Sequence, residues 1–139
     1  MNVILQVSFV PRSVDFALLL LRLWIGLTMF FNHGWLKLTH FSSMSHVLPD
    51  PLHVGPTVNM ILILRSEILG SSLVVFGAAA RLGALLIAIE MAVAFLLVHH
   101  LKLAMGPGSG ELAFLYLGGA LTILFAGPGR MSVDGAGPA

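Results

Sequence analysis

Residues Leu18 to Leu38 read LLLLRLWIGLTMFFNHGWLKL. The stretch is apolar and long enough to cross a hydrocarbon core of about 30 Å, which takes about 20 helical residues. Yet it carries Arg22, His33 and Lys37. At about 100° per residue, His33 falls about 20° and Lys37 about 60° from Arg22, so the three share one helical face. Turned toward lipid, such a stripe would be costly, so the face is expected to point into a bundle or a partner.

The rest of the chain has the same character. Of its 139 residues, 58% are hydrophobic and only 9% charged, and its mean hydropathy is +0.99. These values exclude an ordinary soluble domain. Apolar runs at about 14–38, 58–80, 82–101 and 112–126 predict four spans. Backbone groups in lipid must be paired within their own element, so the spans should be helices. The expected fold is an all-α, antiparallel four-helix membrane bundle, one transmembrane domain over residues 1–139. The net charge of +1 and the lack of any basic cluster argue against a nucleic-acid partner. Without cysteine the chain has no disulfide, thiolate or iron–sulfur chemistry of its own.

The connections are unequal in length. Arg81 alone separates the second and third runs, and 102–110 separates the third and fourth, which makes neighbours antiparallel. Between the first and second lies THFSSMSHVLPDPLHVGPT, residues 39–57, whose Pro49, Pro51 and Pro56 exclude one continuous helix. A loop of that length is often functional or partner-facing. The N-terminal MNVILQVSFVPR lacks a basic start and a cleavage site, and is read as retained. Arg12, Arg81 and Arg130 fall on one side and Lys37 and Lys102 on the other, so the positive-inside rule puts both termini in the cytoplasm. The lipid bilayer and other membrane subunits are the expected partners, in a bacterial or archaeal plasma membrane.

The second run carries Arg65 and Glu67, the third Glu90, and the fourth opens at Glu111. Glu67 shares its face with Gly70, Ser71, Val74 and Ala78, small residues that suit a close helix contact. Counting depth from the expected span ends, Arg22 and Glu90 lie at one level, about 12 Å in, and are expected to form a structural ion pair. Glu67 comes out near the midplane, and His33 and the His99/His100 pair nearer the far leaflet. The lysines are expected to reach the interface along their stems. Arg22, His33 and Glu67 form the candidate quinone or proton site, with Phe30, Phe31 and Trp35 as apolar walls. No metal site is expected: His99 and His100 diverge by about 100°, and His40, His46 and His53 are irregularly spaced.

The segments LRLWIGLTMFFNHGWLKL, SEILGSSLVVFG, RLGALLIAIEMAVAFLLVH and GELAFLYLGGALTILFAGPGRMSVD resemble the DoxX family of small four-helix membrane proteins. SEILGSS stands where that pattern has Glu and paired glycines, and Asn32 where a small residue is common. The family takes its name from a subunit of an archaeal terminal quinol oxidase linked to thiosulfate oxidation. The resemblance therefore implies a redox setting with quinone, and it marks His33, Lys37, Glu67, Arg81 and Glu111 as shared positions. The implied function is a membrane subunit of a respiratory or other electron-transfer complex that contributes to a quinone or proton site. The alternative is a non-catalytic scaffold that anchors a larger membrane complex. No redox centre is encoded in the chain, so partners would carry the electrons.

Overall fold

The computed structural model describes residues 11–136, and the retained N-terminal reading falls largely outside them. Three helices are long and apolar enough to cross a membrane: α1 (Val14–Thr39), α3 (Pro56–Phe76) and α4 (Ala80–Val98). A short α2 (Phe41–Ser45) follows α1, and α5 (Glu111–Ala126) is apolar but has only 16 residues. At 1.5 Å per residue α5 is about 24 Å long, short of a core of about 30 Å. No strand occurs among the described residues. The fold is thus an all-helical bundle of membrane character.

The helix ends follow local chemistry. Ser13 caps α1 by accepting from the Phe16 N–H at 3.2 Å. Pro56 opens α3 at a position where its missing N–H costs nothing, just after Gly55. The 39–57 segment is accordingly not one helix: α1 runs into its first residue, α2 follows, and Asp50 ties the remainder by accepting from the Gly55 and Val54 N–H groups. Gly77, with φ +69°, ends α3 in the left-handed region, and Ala79 continues the turn at φ +48°.

Alanines bring the helices close, and larger side chains fill the seams between them. α4 and α5 share the most extensive contact; Ala84, Ile87, Ala88 and Met91 meet Ala113, Tyr116, Ala120 and Ile123 there. Large apolar side chains such as Trp24, Phe76 and Phe125 point outward. That inversion suits a chain whose solvent is lipid, where close backbone approach drives helix association.

Beyond α5 the chain folds back across the end of the bundle. The Asp134 N–H donates to the Gly77 carbonyl at 2.8 Å, and the Arg130 N–H to Asp15 Oδ1 at 2.8 Å. Asp134 in turn caps α4, accepting from the Ala79 and Ala80 N–H groups at 2.9 and 3.0 Å. Those donors, Ala80 first and then Ala79, hold the Asp134 carboxyl below its usual range.

This segment also claims Arg22, which is 1% exposed. Its guanidinium donates to the Met131 carbonyl at 2.5 Å and lies in the field of Asp134. The expected Arg22–Glu90 pair is not formed; Glu90 instead lies against Glu67, Ser66 and Lys37. The depth count failed because α1 begins beyond the hairpin end of α3: its Gly34 packs on Glu67, its Gly26 on Ser71 and Val75, and its Arg22 meets Gly77 at the turn itself, well short of the level of Glu90. α3 ends at Phe76, not at residue 80, so Glu67 is about 14 Å and Glu90 about 15 Å from that turn. The two glutamates therefore face each other across antiparallel helices, and Arg22 is drawn toward the terminal segment.

Candidate functional site

α1, α3, α4 and α5 border a half-open cavity of about 220 Å³ lined by His33, Lys37, Glu67, His99 and Tyr116, with Met29 and Met91 among its apolar walls. Lys37 reaches inward and donates to Glu67 Oε1; the two side chains are 14% and 2% exposed. Its expected placement at the interface is thus overturned, because a buried carboxylate offers a stronger partner than the interface. His33 meets the Tyr116 ring edge-on, with centroids 5.5 Å apart. His99 makes a hydrogen bond through Nδ1 with the Gly108 carbonyl at 3.2 Å, which ties the cavity rim to the α4–α5 loop.

Two features of the backbone bring these groups together. Gly34 lets α1 approach α3 directly: a Cβ there would meet the Glu67 carbonyl oxygen at 2.8 Å. Each long helix also widens into a π-helical stretch at this level, at Phe30–Trp35, Arg65–Gly70 and Ala94–Val98. Such insertions shift the side-chain register by a fraction of a turn and recur at functional sites. Here they hold His33 and Glu67 themselves and end next to His99.

The charge balance is unequal. One ammonium, Lys37, serves two carboxyl groups, Glu67 and Glu90, and the Oε2 atom of each is shielded with no hydrogen-bond partner. Orphaned carboxyl oxygens inside a bundle are expensive unless a proton or a donor-bearing ligand satisfies them. The cavity can therefore take a molecule that offers a hydrogen-bond donor or accepts one from Lys37, His33 or Tyr116. A quinone headgroup has carbonyl acceptors and, once reduced, hydroxyl donors, so the residues present fit that group.

Of the expected site residues, His33 and Glu67 come together and Arg22 does not; it sits about 16 Å along α1 from His33, under the C-terminal segment. The expected aromatic walls also face elsewhere. Phe30 and Phe31 line a separate apolar groove with Val75 and Phe76, and Trp35 stacks on Phe30 at 6.3 Å. Arg81 and Glu111 are exposed, and Arg81 donates to the Leu124 carbonyl at 2.8 Å. Sequence reasoning missed Tyr116 and the Glu67–Glu90 neighbourhood. The Gly77 that stops α3 was the signal that would have aligned the two glutamates.

A second hollow of about 270 Å³ lies between α1 and α5, lined by Trp24, Thr28, Asn32, His33 and Tyr116. It shares His33, Leu112 and Tyr116 with the inner cavity, so the His33–Tyr116 contact separates the interior from a lipid-facing seam.

A helical membrane protein with an ionisable cavity between its helices is the class that this geometry defines. The family model described as DoxX matches residues 17–100, more than half of the chain, and the chain belongs to the DoxX family. The matched part carries His33, Lys37, Glu67, Glu90 and His99, whereas Tyr116 and Asp134 lie beyond it. No curated protein and no solved structure matches the chain.

Proposed function

We propose that this DoxX-family chain is a four-span membrane subunit of an electron-transfer assembly, and that its inner cavity offers a proton-exchanging face to a quinone. The observation that carries the reading is the cavity itself: Lys37, His33, Tyr116 and Glu67 line it together, and Glu67 keeps one oxygen without a hydrogen-bond partner. A bound quinone would supply the two-electron, two-proton acceptor, with electrons delivered by a partner subunit. Lys37, His33 and Tyr116 would orient its carbonyl oxygens. Glu67, paired with Lys37 through one oxygen only, would hold and release a proton at the other. The hollow between α1 and α5 gives a lipid-soluble molecule a lateral path to the His33–Tyr116 contact. In this reading α5 also crosses, with the membrane thinned around it, and the excess of Arg12, Arg81 and Arg130 places both termini in the cytoplasm.

The scaffold reading draws on a different observation. The Lys37–Glu67 pair and the Gly34 approach fix the register of α1 on α3 without any ligand. Activity per assembled complex separates the two. Glu67→Gln and His33→Phe are expected to leave assembly intact while lowering specific activity. Unchanged specific activity in both, with output following only the amount of complex, favours the scaffold.

A further inference from the structure

Glu90 has no part in the inner cavity, yet it is a half-buried ionisable group whose shielded Oε2 has no hydrogen-bond partner. It lines a different hollow, of about 90 Å³, beneath the loop between α2 and α3. Pro51 and Leu52 cover that hollow, and Asn59, Arg65 and Ser66 give it polar walls. Arg65 is exposed, and the Asn59 amide donates to the Pro49 carbonyl at 2.9 Å, so the hollow reaches from the loop surface inward. A site needs about 10–15 Å³ and two to four polar partners to hold one water, so this one has room for several. At its inner end Glu90 lies against Glu67, which lines the quinone-facing cavity. The two carboxyl groups thus form the wall between a loop-side hollow and the inner cavity.

We propose that Glu90 is the relay residue that passes protons between the loop-side hollow and Glu67. The inference rests on the proton-site reading of the inner cavity and adds its route to water. The groups facing Glu90 are Glu67, Ser66 and Arg65 from α3 and Lys37 from α1. Arg65 lies at the exposed mouth of the hollow, so the shielded set is one ammonium and two carboxyl groups, and its electroneutral form holds one proton, shared between the glutamates. Transfer is balanced: the Glu90 acid gives its proton to the Glu67 carboxylate, Glu67 becomes the acid, and once Glu67 has passed that proton on, a hydronium arriving through the water of the hollow reprotonates Glu90 and leaves as water. Delivery then comes from the loop end of the bundle, opposite the clamp made by Arg22 and Asp134.

Infrared spectroscopy of the full-length protein in lipid nanodiscs tests this without a ligand. The wild type is expected to show a carboxylic-acid C=O band at neutral pH that shifts promptly on transfer to D2O. Glu90→Gln and Glu67→Gln should each abolish the band, because the remaining carboxylate then pairs with Lys37 and no shared proton is left. Leu62→Phe or Val93→Phe, which fill the loop-side hollow, should slow the shift, and Leu112→Trp on the inner cavity should not. Absence of the band, its survival in either Gln variant, or slowing only by Leu112→Trp overturns the relay. A band that behaves as described while Glu67→Gln leaves specific activity unchanged upholds the relay and removes the quinone reading alone.

Discussion

Lys37 is the residue whose setting changes most between sequence and structure. A lysine near the end of an apolar helix usually extends toward the interface, but here it turns inward to Glu67. Helical periodicity does put Lys37 on the same face as Arg22 and His33, and so announced an inward side chain. Its partner was not legible, because pairing between helices depends on relative depth, and depth depends on where each helix ends. Lys37→Met should cost about 3–5 kcal/mol by leaving Glu67 buried and uncompensated, and adding Glu67→Gln should recover most of it. Thermal unfolding of the purified single and double variants measures that coupling. Arg22 makes the opposite case. Arg22→Leu loses a charged hydrogen bond to Met131, a loss of about 1.5–3 kcal/mol. Its effect should add to that of Glu90→Leu within about 0.5 kcal/mol, since the two residues are not paired.

Asp134 adds a pH dependence at the other end of the molecule. Its carboxyl is held below the usual range by the Ala80 and Ala79 N–H groups, so it stays ionised to lower pH in the folded protein than in the unfolded chain. Its share of stability is complete above the ordinary carboxylate range and is lost as pH falls through the depressed folded value. Unfolding temperature followed from neutral to acid pH should therefore decline less steeply in Asp134→Asn than in the wild type. An unchanged acid slope would remove Asp134 as a cap on α4.

At the scale of the helices, three of the four apolar runs have the length a span requires, and all four are helical. Hydropathy made that legible because it acts over whole runs. Boundaries were less so: α3 stops at Phe76 because Gly77 adopts φ +69° beside the Arg22 guanidinium, a local event inside an apolar run. The π-helical stretches left no mark in composition at all, since they depend on how neighbouring helices demand side chains at one level. Gly34 is the element-scale feature most open to test. Gly34→Val would force a side chain against the Glu67 carbonyl and push α1 from α3, at about 1–3 kcal/mol. Separating the helices should also break the Lys37–Glu67 pair, so the loss of stability should shrink when Lys37→Met is already present.

For the molecule as a whole, Arg12 and Arg130 lie at the end where Asp15 receives the Arg130 N–H, and His46 lies on the loop at the other end. The absence of cysteine makes single-cysteine labelling clean. Arg12→Cys and Arg130→Cys should react with an impermeant thiol reagent from one side of sealed vesicles, and His46→Cys from the other. Labelling of Arg12→Cys and Arg130→Cys from opposite sides would show that α5 does not cross. The inner cavity stands between those two ends, and the question of its occupant is answered most directly by photo-crosslinking. A photoreactive quinone, irradiated with the protein in native lipid and mapped by mass spectrometry, should attach at Met29, Met91 or Tyr116. It should be displaced by unlabelled quinone and lost in Glu67→Gln. Adducts confined to lipid-facing residues such as Trp24 and Phe125, unaffected by competitor, would contradict a quinone site in this cavity.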